Sequence, residues 1–293
     1  MRVLNFGSLN LDYVYAVDHF VLPGETLAVR SHTVKAGGKG LNQSVALSRA
    51  GASVFHAGCL GSGGELLKTV LETNGVDTGF LLPVPETQGH AVIQVNPAGE
   101  NCILLCGGSN RCVPEDHIRR VLDSFHPGDW LILQNEINRI PLIVELASAG
   151  GMRIVLNPSP CDAAVGEIDL SKVDWLAVNE IEAAQISGSG DPETAWNILH
   201  ERYGSLSLLV TLGSRGSVAW RPAGGAVEYH REKARNVQAV DTTAAGDTYT
   251  GYFVAGLMEG LPLPACMKQA SLAAAIAVMR PGAADSIPRK HEL

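Results

Sequence analysis

The stretch Asp241-Thr242-Thr243-Ala244-Ala245-Gly246-Asp247-Thr248 opens an apolar segment of helical character that runs to Met258. Small residues at a helix start let backbone N–H groups converge, and the helix dipole there favours an anion. A carboxylate beside such a cradle suits a base that takes a hydroxyl proton during phosphoryl transfer. The plainer reading is that Asp241 or Asp247 caps the helix. The full octet favours chemistry over capping.

Gly37-Gly38-Lys39-Gly40-Leu41-Asn42 also precedes a helix. Its glycines permit close approach of a ligand to the backbone, and Lys39 and Asn42 add polar groups. A third candidate is Thr211-Leu212-Gly213-Ser214-Arg215-Gly216, a strand end followed by a glycine turn, where a parallel sheet can hold a nucleotide. Taken alone, each of these two is an ordinary turn. Other chemistries lack their usual support. The chain has no Gly-x-x-x-x-Gly-Lys-Ser/Thr, no Gly-x-Gly-x-x-Gly after its first strand, no Gly-x-Ser-x-Gly and no His-Glu-x-x-His.

These segments need a scaffold, and the pattern supplies one. Val3–Phe6, Val54–Cys59, Trp130–Leu133, Arg153–Leu156, Trp175–Val178 and Leu206–Thr211 read as buried strands. Helices are expected over 41–50, 65–73, 141–149, 180–186, 192–202, 246–258 and 263–279. Repeated strand–helix units imply an α/β fold, a parallel sheet covered on both faces. Two segments break the rhythm, about 11–35 and 89–106. The second reads as a hairpin turning at Asn96-Pro97-Ala98-Gly99-Glu100-Asn101. The two are expected to pair as a small antiparallel sheet, with Tyr13–Val17 and Thr26–Val29 as strands of the first.

The chain has 293 residues, 46% hydrophobic and 18% charged, which supports a large core rather than disorder. A net charge of −8 argues against general binding of nucleic acid or anionic membrane. The first residues reach Asp12 too soon for a signal peptide, and no apolar run is long enough to span a membrane, so a cytoplasmic protein is expected. The six cysteines form no Cys-x-x-Cys pair and are expected to stay reduced.

Together, Gly7-Ser8-Leu9-Asn10-Leu11-Asp12, Gly37 to Asn42, Thr211 to Gly216 and Asp241 to Asp247 resemble the ribokinase branch of the ribokinase/phosphofructokinase-B carbohydrate kinases. The resemblance runs in order from Gly7 to Ser286. It implies a three-layer α/β fold with a mainly parallel central sheet. Residues 1–10, 36–88 and 107–293 would form the large domain, and 11–35 with 89–106 a β lid that also makes a homodimer. It implies Asp247 as the base and Ala244, Ala245 and Gly246 as the anion hole. Asn10, Asp12, Gly38, Lys39, Gly40, Asn42 and Glu136 match sugar-binding positions. Asn179, Thr211 to Gly216 and Ser271 match nucleotide positions, and Glu182 a residue near Mg²⁺. Asp241, Thr243, Ala277, Arg280, Gly282 and Ser286 match a K⁺ site, several through carbonyl oxygens.

The expected reaction is transfer of the ATP γ-phosphate to a sugar hydroxyl, with D-ribose to ribose 5-phosphate as the leading case. Fructose, ketodeoxygluconate, adenosine or pseudouridine as acceptor, or a non-catalytic sugar sensor, are the alternatives. Some residues depart from the family pattern. Gly61-Ser62-Gly63-Gly64 lacks an Asp usual there. Tyr13 and Tyr15 stand where aliphatic residues are usual, and Gly107-Gly108-Ser109-Asn110 replaces a run of small residues.

Overall fold

The computed structural model describes residues 1–293. The strands are β1 (Val3–Phe6), β2 (Asn10–Ala16), β3 (Ser31–Gly37), β4 (Val54–Ser62), β5 (Asp77–Thr87), β6 (His90–Val95), β7 (Asn101–Cys106), β8 (Trp130–Gln134), β9 (Arg153–Asn157), β10 (Trp175–Asn179), β11 (Ser207–Thr211), β12 (Ser217–Ala223) and β13 (Ala226–Glu232). The helices are α1 (Lys39–Arg49), α2 (Glu65–Thr73), α3 (Glu115–Leu122), α4 (Ile140–Ala149), α5 (Glu180–Ser187), α6 (Pro192–Arg202), α7 (Ala245–Met258) and α8 (Leu263–Val278). No helix is long and apolar enough to cross a membrane.

The main sheet has nine strands in the order β13-β12-β11-β10-β9-β8-β1-β4-β5. Seven run parallel, and β12 and β13 form an antiparallel hairpin on one edge. Successive strand residues face opposite sides. Thus Trp130 and Ile132 enter a core with α1, α2, α7 and α8, while Leu131 and Leu133 enter a second core with α3, α4, α5 and α6. The result is three layers, as the alternation of elements implied. Parallel strands deliver their carboxyl ends to one edge of the sheet, where ligands of such folds bind.

Four elements escaped the sequence reading. β5 carries Pro83 and Pro85, which argue against a strand, and α3 is only eight residues long, although its Ile118, Val121 and Leu122 share one buried face. The β12–β13 hairpin turns on Gly224-Gly225, both at positive φ, a two-residue glycine signal that was there to be read. The small sheet has four strands in the order β3-β2-β6-β7. Two expectations for it need correction. β2 and β6 pair parallel, so this sheet is mixed rather than antiparallel. Thr26–Val29 is not a strand. The turn at Pro23-Gly24 delays the return, and β3 starts at Ser31, opposite Ala16.

Helices α1 and α7 cross where Gly251 of α7 meets α1. A Cβ there would overlap Ala46 Cβ and stand 3.0 Å from Leu47 N. Glycine at this contact lets the two helices approach closely enough to share a site at their amino termini. Gly251→Ala gains about 1 kcal/mol of helix propensity. Overpacking this contact loses about 1–3 kcal/mol. We expect a net fall in melting temperature by calorimetry, with reduced turnover because the two helix starts are pushed apart.

Candidate active site

The site begins where β1 ends. Gly7-Ser8-Leu9-Asn10 crosses beneath the start of α1, and Gly40 packs so tightly on it that a Cβ would overlap Ser8 N. Gly38, at φ +95°, caps α1 in a conformation that side chains rarely adopt. This close approach lets Glu136, just past β8, accept from both Ser8 Oγ and Lys39 N, the latter at 3.0 Å. The carboxyl ends of two neighbouring strands and the first turn of α1 are thereby tied together.

Asp247 lies in the first turn of α7. Ala244 precedes it in the left-handed region, at φ +58°, one of two non-glycine residues with positive φ. Strain of this kind concentrates at functional sites. It turns the chain so that Ala245, Gly246 and Asp247 start the helix, leaving first-turn amides that no intrahelical carbonyl can reach. The Asp247 carboxylate is buried and receives one amide donor on each oxygen. Asn42 Nδ2 donates to Oδ2 and Gln43 Nε2 to Oδ1, each at 3.0 Å. Asn42 Oδ1 is buried without a partner, an acceptor free for a hydroxyl.

Two cavities share a wall beside this point, and a third is lined by Glu136. The largest, about 330 Å³, is lined by Thr211, Gly213, Ser214, Gly216, Thr242, Ala245, Gly246 and Ser271 together with small apolar residues of α8. A cavity of about 90 Å³ follows, with Lys39, Asn179, Glu182, Gly246 and Asp247 in its wall. A third, about 190 Å³, is lined by Asn10, Gly107, Gly108, Asn110, Arg111 and Glu136. The first two share Thr211 and Gly246, and the Lys39 N–Glu136 hydrogen bond links a wall residue of the second to one of the third. Leu212 and Arg215 do not join the track. Leu212 is buried in the second core, and Arg215 turns outward onto Glu180.

Glu182 and Asn179 form a reciprocal cap at the start of α5, with one Glu182 oxygen engaged by Asn179 N at 3.0 Å. Asp241 bridges two loops. Its Oδ1 accepts from Thr243 N at 2.9 Å and Thr243 Oγ1 at 2.6 Å, and its Oδ2 from Gly282 N at 2.9 Å. Burial would raise its pKa, but these donors prevail and hold it below the usual value. Ser286 Oγ donates to Ala283 O, and Arg280 N to Ala277 O at 3.0 Å. The Arg280 guanidinium leaves the loop to pair with Glu292 at 2.6 Å, so only its backbone faces this region.

Two residues were missed by sequence reasoning. Asn110 sits in the segment that departs from the family pattern. Its Nδ2 donates to Asn10 Oδ1 at 2.7 Å and its Oδ1 accepts from Leu9 N at 3.0 Å, which fixes Asn10 at the cavity wall. Gln43 follows Asn42 directly and was passed over because a helical Gln carries no distinctive signal.

Charge within the track is dense. Burial pulls the Lys39 ammonium toward losing its proton, but Asp247, Glu136 and Glu182 nearby prevail and raise its pKa. Burial and the nearby Glu136 push the Asp12 carboxyl up to about 6, against a weaker pull from Lys35. Keeping Asp12 ionised in the folded state therefore costs on the order of 3 kcal/mol above pH 6. That cost fades as pH falls from about 6 towards the ordinary carboxyl value of 3.8, where the unfolded chain also protonates. Asp12→Asn should raise the melting temperature at pH 7 and lose that gain at pH 4. A melting temperature at pH 7 equal to or below that of the parent would contradict this assignment.

The profile of the pfkB family carbohydrate kinases matches residues 2–290. A ribokinase from Haemophilus influenzae is 36% identical over 296 residues, covering 98% of this chain and 95% of that protein. The structure of a Thermotoga maritima ribokinase superposes with a TM-score of 0.88 at 31% identity, covering 100% of this chain and 97% of that one. That of Arabidopsis thaliana ribokinase, complexed with ribose and ATP, gives 0.87 at 27% identity, covering 99% and 96%. The three-layer fold and the ordered motifs agree with these matches, and the chain belongs to the pfkB family of carbohydrate kinases.

Proposed function

We propose that this protein transfers the γ-phosphate of ATP to the 5-hydroxyl of D-ribose, giving ribose 5-phosphate and ADP. The observation that carries the reading is the placement of Asp247. It stands at the junction of a nucleotide-sized cavity and a polar cavity, with two amide donors on its carboxylate. Relatives with ribokinase activity in their names, and one solved with ribose and ATP, support the choice of sugar.

Asn10, Asp12, Asn42 and Glu136 offer carboxylate and amide groups to replace the water around a small polyol. Lys39 N and the backbone of Gly38 and Gly40 complete that wall. Asp247 takes the proton of the 5-hydroxyl, whose oxygen attacks the γ-phosphorus as the bond to the bridging β–γ oxygen breaks. The first amides of α7, including Ala245 and Gly246, stabilise the charge on the transferring group. Ala244 sets their direction. The Lys39 ammonium offers the same group a positive charge. The nucleotide occupies the large cavity, with Thr211, Gly213, Ser214, Gly216 and Ser271 around it and Asn179 near its phosphates.

Mg²⁺ neutralises phosphate charge in such transfers. Glu182 fits it, because one of its carboxylate oxygens remains uncommitted to the α5 cap. Oxygen donors from Asp241, the backbone of Thr243, Ala277, Arg280 and Gly282, and Ser286 suit K⁺. A cation there would hold together the two loops that Asp241 already bridges, and so brace the turn at Ala244. Residues 11–35 and 89–106 act as a lid over the sugar. Ile103, Leu104 and Leu105 on its edge strand β7 are half or more exposed, and a second copy of the lid would cover them in a homodimer. We infer that the reaction takes place in the cytoplasm.

Asp247→Asn should retain ribose binding by calorimetry and lose about 10²–10⁴-fold in turnover. Turnover near that of the parent would contradict the role of base. A competition among D-ribose, 2-deoxyribose, D-fructose and adenosine tests the acceptor, with ribose expected to be phosphorylated preferentially. Preference for adenosine or fructose would overturn the sugar and leave the kinase. Potassium should raise the rate over sodium or a bulky organic cation, and Asp241→Ala should abolish that response.

A further inference from the structure

A chain of buried amides runs from the sheet to Asp247, and its direction is set by two backbone carbonyls. At one end, Asn5 Nδ2 donates to Gly40 O at 2.8 Å, so Asn5 Oδ1 must face Gln134. Gln134 Nε2 then donates both its hydrogens, to Asn5 Oδ1 at 3.0 Å and to Gln43 Oε1 at 2.8 Å. At the other end, Asn157 Nδ2 donates to Ala177 O at 2.8 Å, so Asn157 Oδ1 must also accept from Gln43. Gln43 Nε2 meets it at 2.9 Å and gives its remaining hydrogen to Asp247 Oδ1.

Amide orientation in a buried network follows from its partners. Rotating the Gln43 amide by half a turn would bring Oε1 against the Asp247 carboxylate and Asn157 Oδ1, and NH₂ against the NH₂ of Gln134. Neither end of the chain can rotate to compensate. Asn5, Gln43 and Gln134 are buried away from water, and Asn157, which borders the central cavity, is fixed by its Nδ2 hydrogen bond to Ala177 O. Gln43 therefore presents only a donor to Asp247. That suits the carboxylate, which accepts, and disfavours the carboxylic acid on that oxygen.

We propose that Gln43 is a positioning residue for the base, held in its donating orientation by Gln134, Asn5 and Asn157. This inference rests on the reading of Asp247 as the base of a sugar kinase. The relay fixes the plane of the Asp247 carboxylate relative to the sheet and keeps it ready to receive a proton. The charged groups facing Asp247 are Lys39 from α1, the helix of Gln43, and Glu182 from α5 across the central cavity. Both stay in place in the variants below.

The test is steady-state kinetics with ribose and ATP over a range of pH, beside thermal melting. Gln43→Met keeps the length and removes the donor. It should lower kcat by about 10–100-fold, the effect of losing a hydrogen bond to a charged group, with KM for ribose little changed. The acidic limb of its kcat profile should move to higher pH, because an under-solvated carboxylate takes a proton more readily. Gln134→Met does not touch Asp247 and should lower kcat by a smaller factor with the same split between kcat and KM. Gln43→Glu, close to isosteric, supplies the same reading where Gln43→Met does not fold, and its acidic limb should move further. Parental kcat with an unmoved limb in the folded Gln43 variants would overturn the proposal. So would a loss confined to KM. A parent with no sugar turnover would instead overturn the proposed function, and this inference with it.

Discussion

Most of the structure near the site serves one arrangement, a carboxylate held at a helix start by two amides of a neighbouring helix. Asp247 belongs to α7, and its partners Asn42 and Gln43 belong to α1. The helices can meet because Gly251 leaves room for Ala46 and Leu47, and Gly256 leaves comparable room for α8. Burying a carboxylate is unfavourable unless donors replace its water. The amides meet that requirement while leaving the carboxylate able to take a proton.

The sheet supplies the frame for this arrangement. Asn5, Gln134 and Asn157 lie at or near the carboxyl ends of β1, β8 and β9, next to one another in the strand order. A parallel sheet brings such ends together from distant parts of the sequence. Polar residues within otherwise apolar strands thus form one network rather than three isolated defects. Asp12 gives the complementary lesson. Its carboxyl is ionised at some cost beside Glu136, a burden that stability alone would not favour and that the role proposed for Asp12 in holding the sugar would explain.

The sequence made the layered fold legible because strand and helix periods alternate cleanly and the strands are short apolar runs. It made Asp247, Asn42 and Asp241 legible as candidates because the motifs that hold them are distinctive in combination, while Glu136 came only with the family resemblance. The mixed pairing of the small sheet was hidden, since alternation reports which face a residue takes and says nothing of strand direction. Asn110 and Gln43 were hidden for another reason. Each acts by orienting a second residue across a long separation in sequence, as Asn110 does for Asn10, and local spacing carries no trace of that. Leu212 and Arg215 show the converse, where a motif spans residues that do not all line the cavity. The loop they belong to needs Leu212 for its core and Arg215 for its surface.

The most direct measurement is a crystal structure of this protein with ribose and a non-hydrolysable ATP analogue. The account predicts the ribose 5-hydroxyl within about 2.6–3.2 Å of the Asp247 carboxylate, the reach required of a general base. It also predicts the γ-phosphate against the first amides of α7. A sugar whose 5-hydroxyl lies away from Asp247, or a nucleotide seated outside the cavity at Thr211 and Gly246, would contradict it.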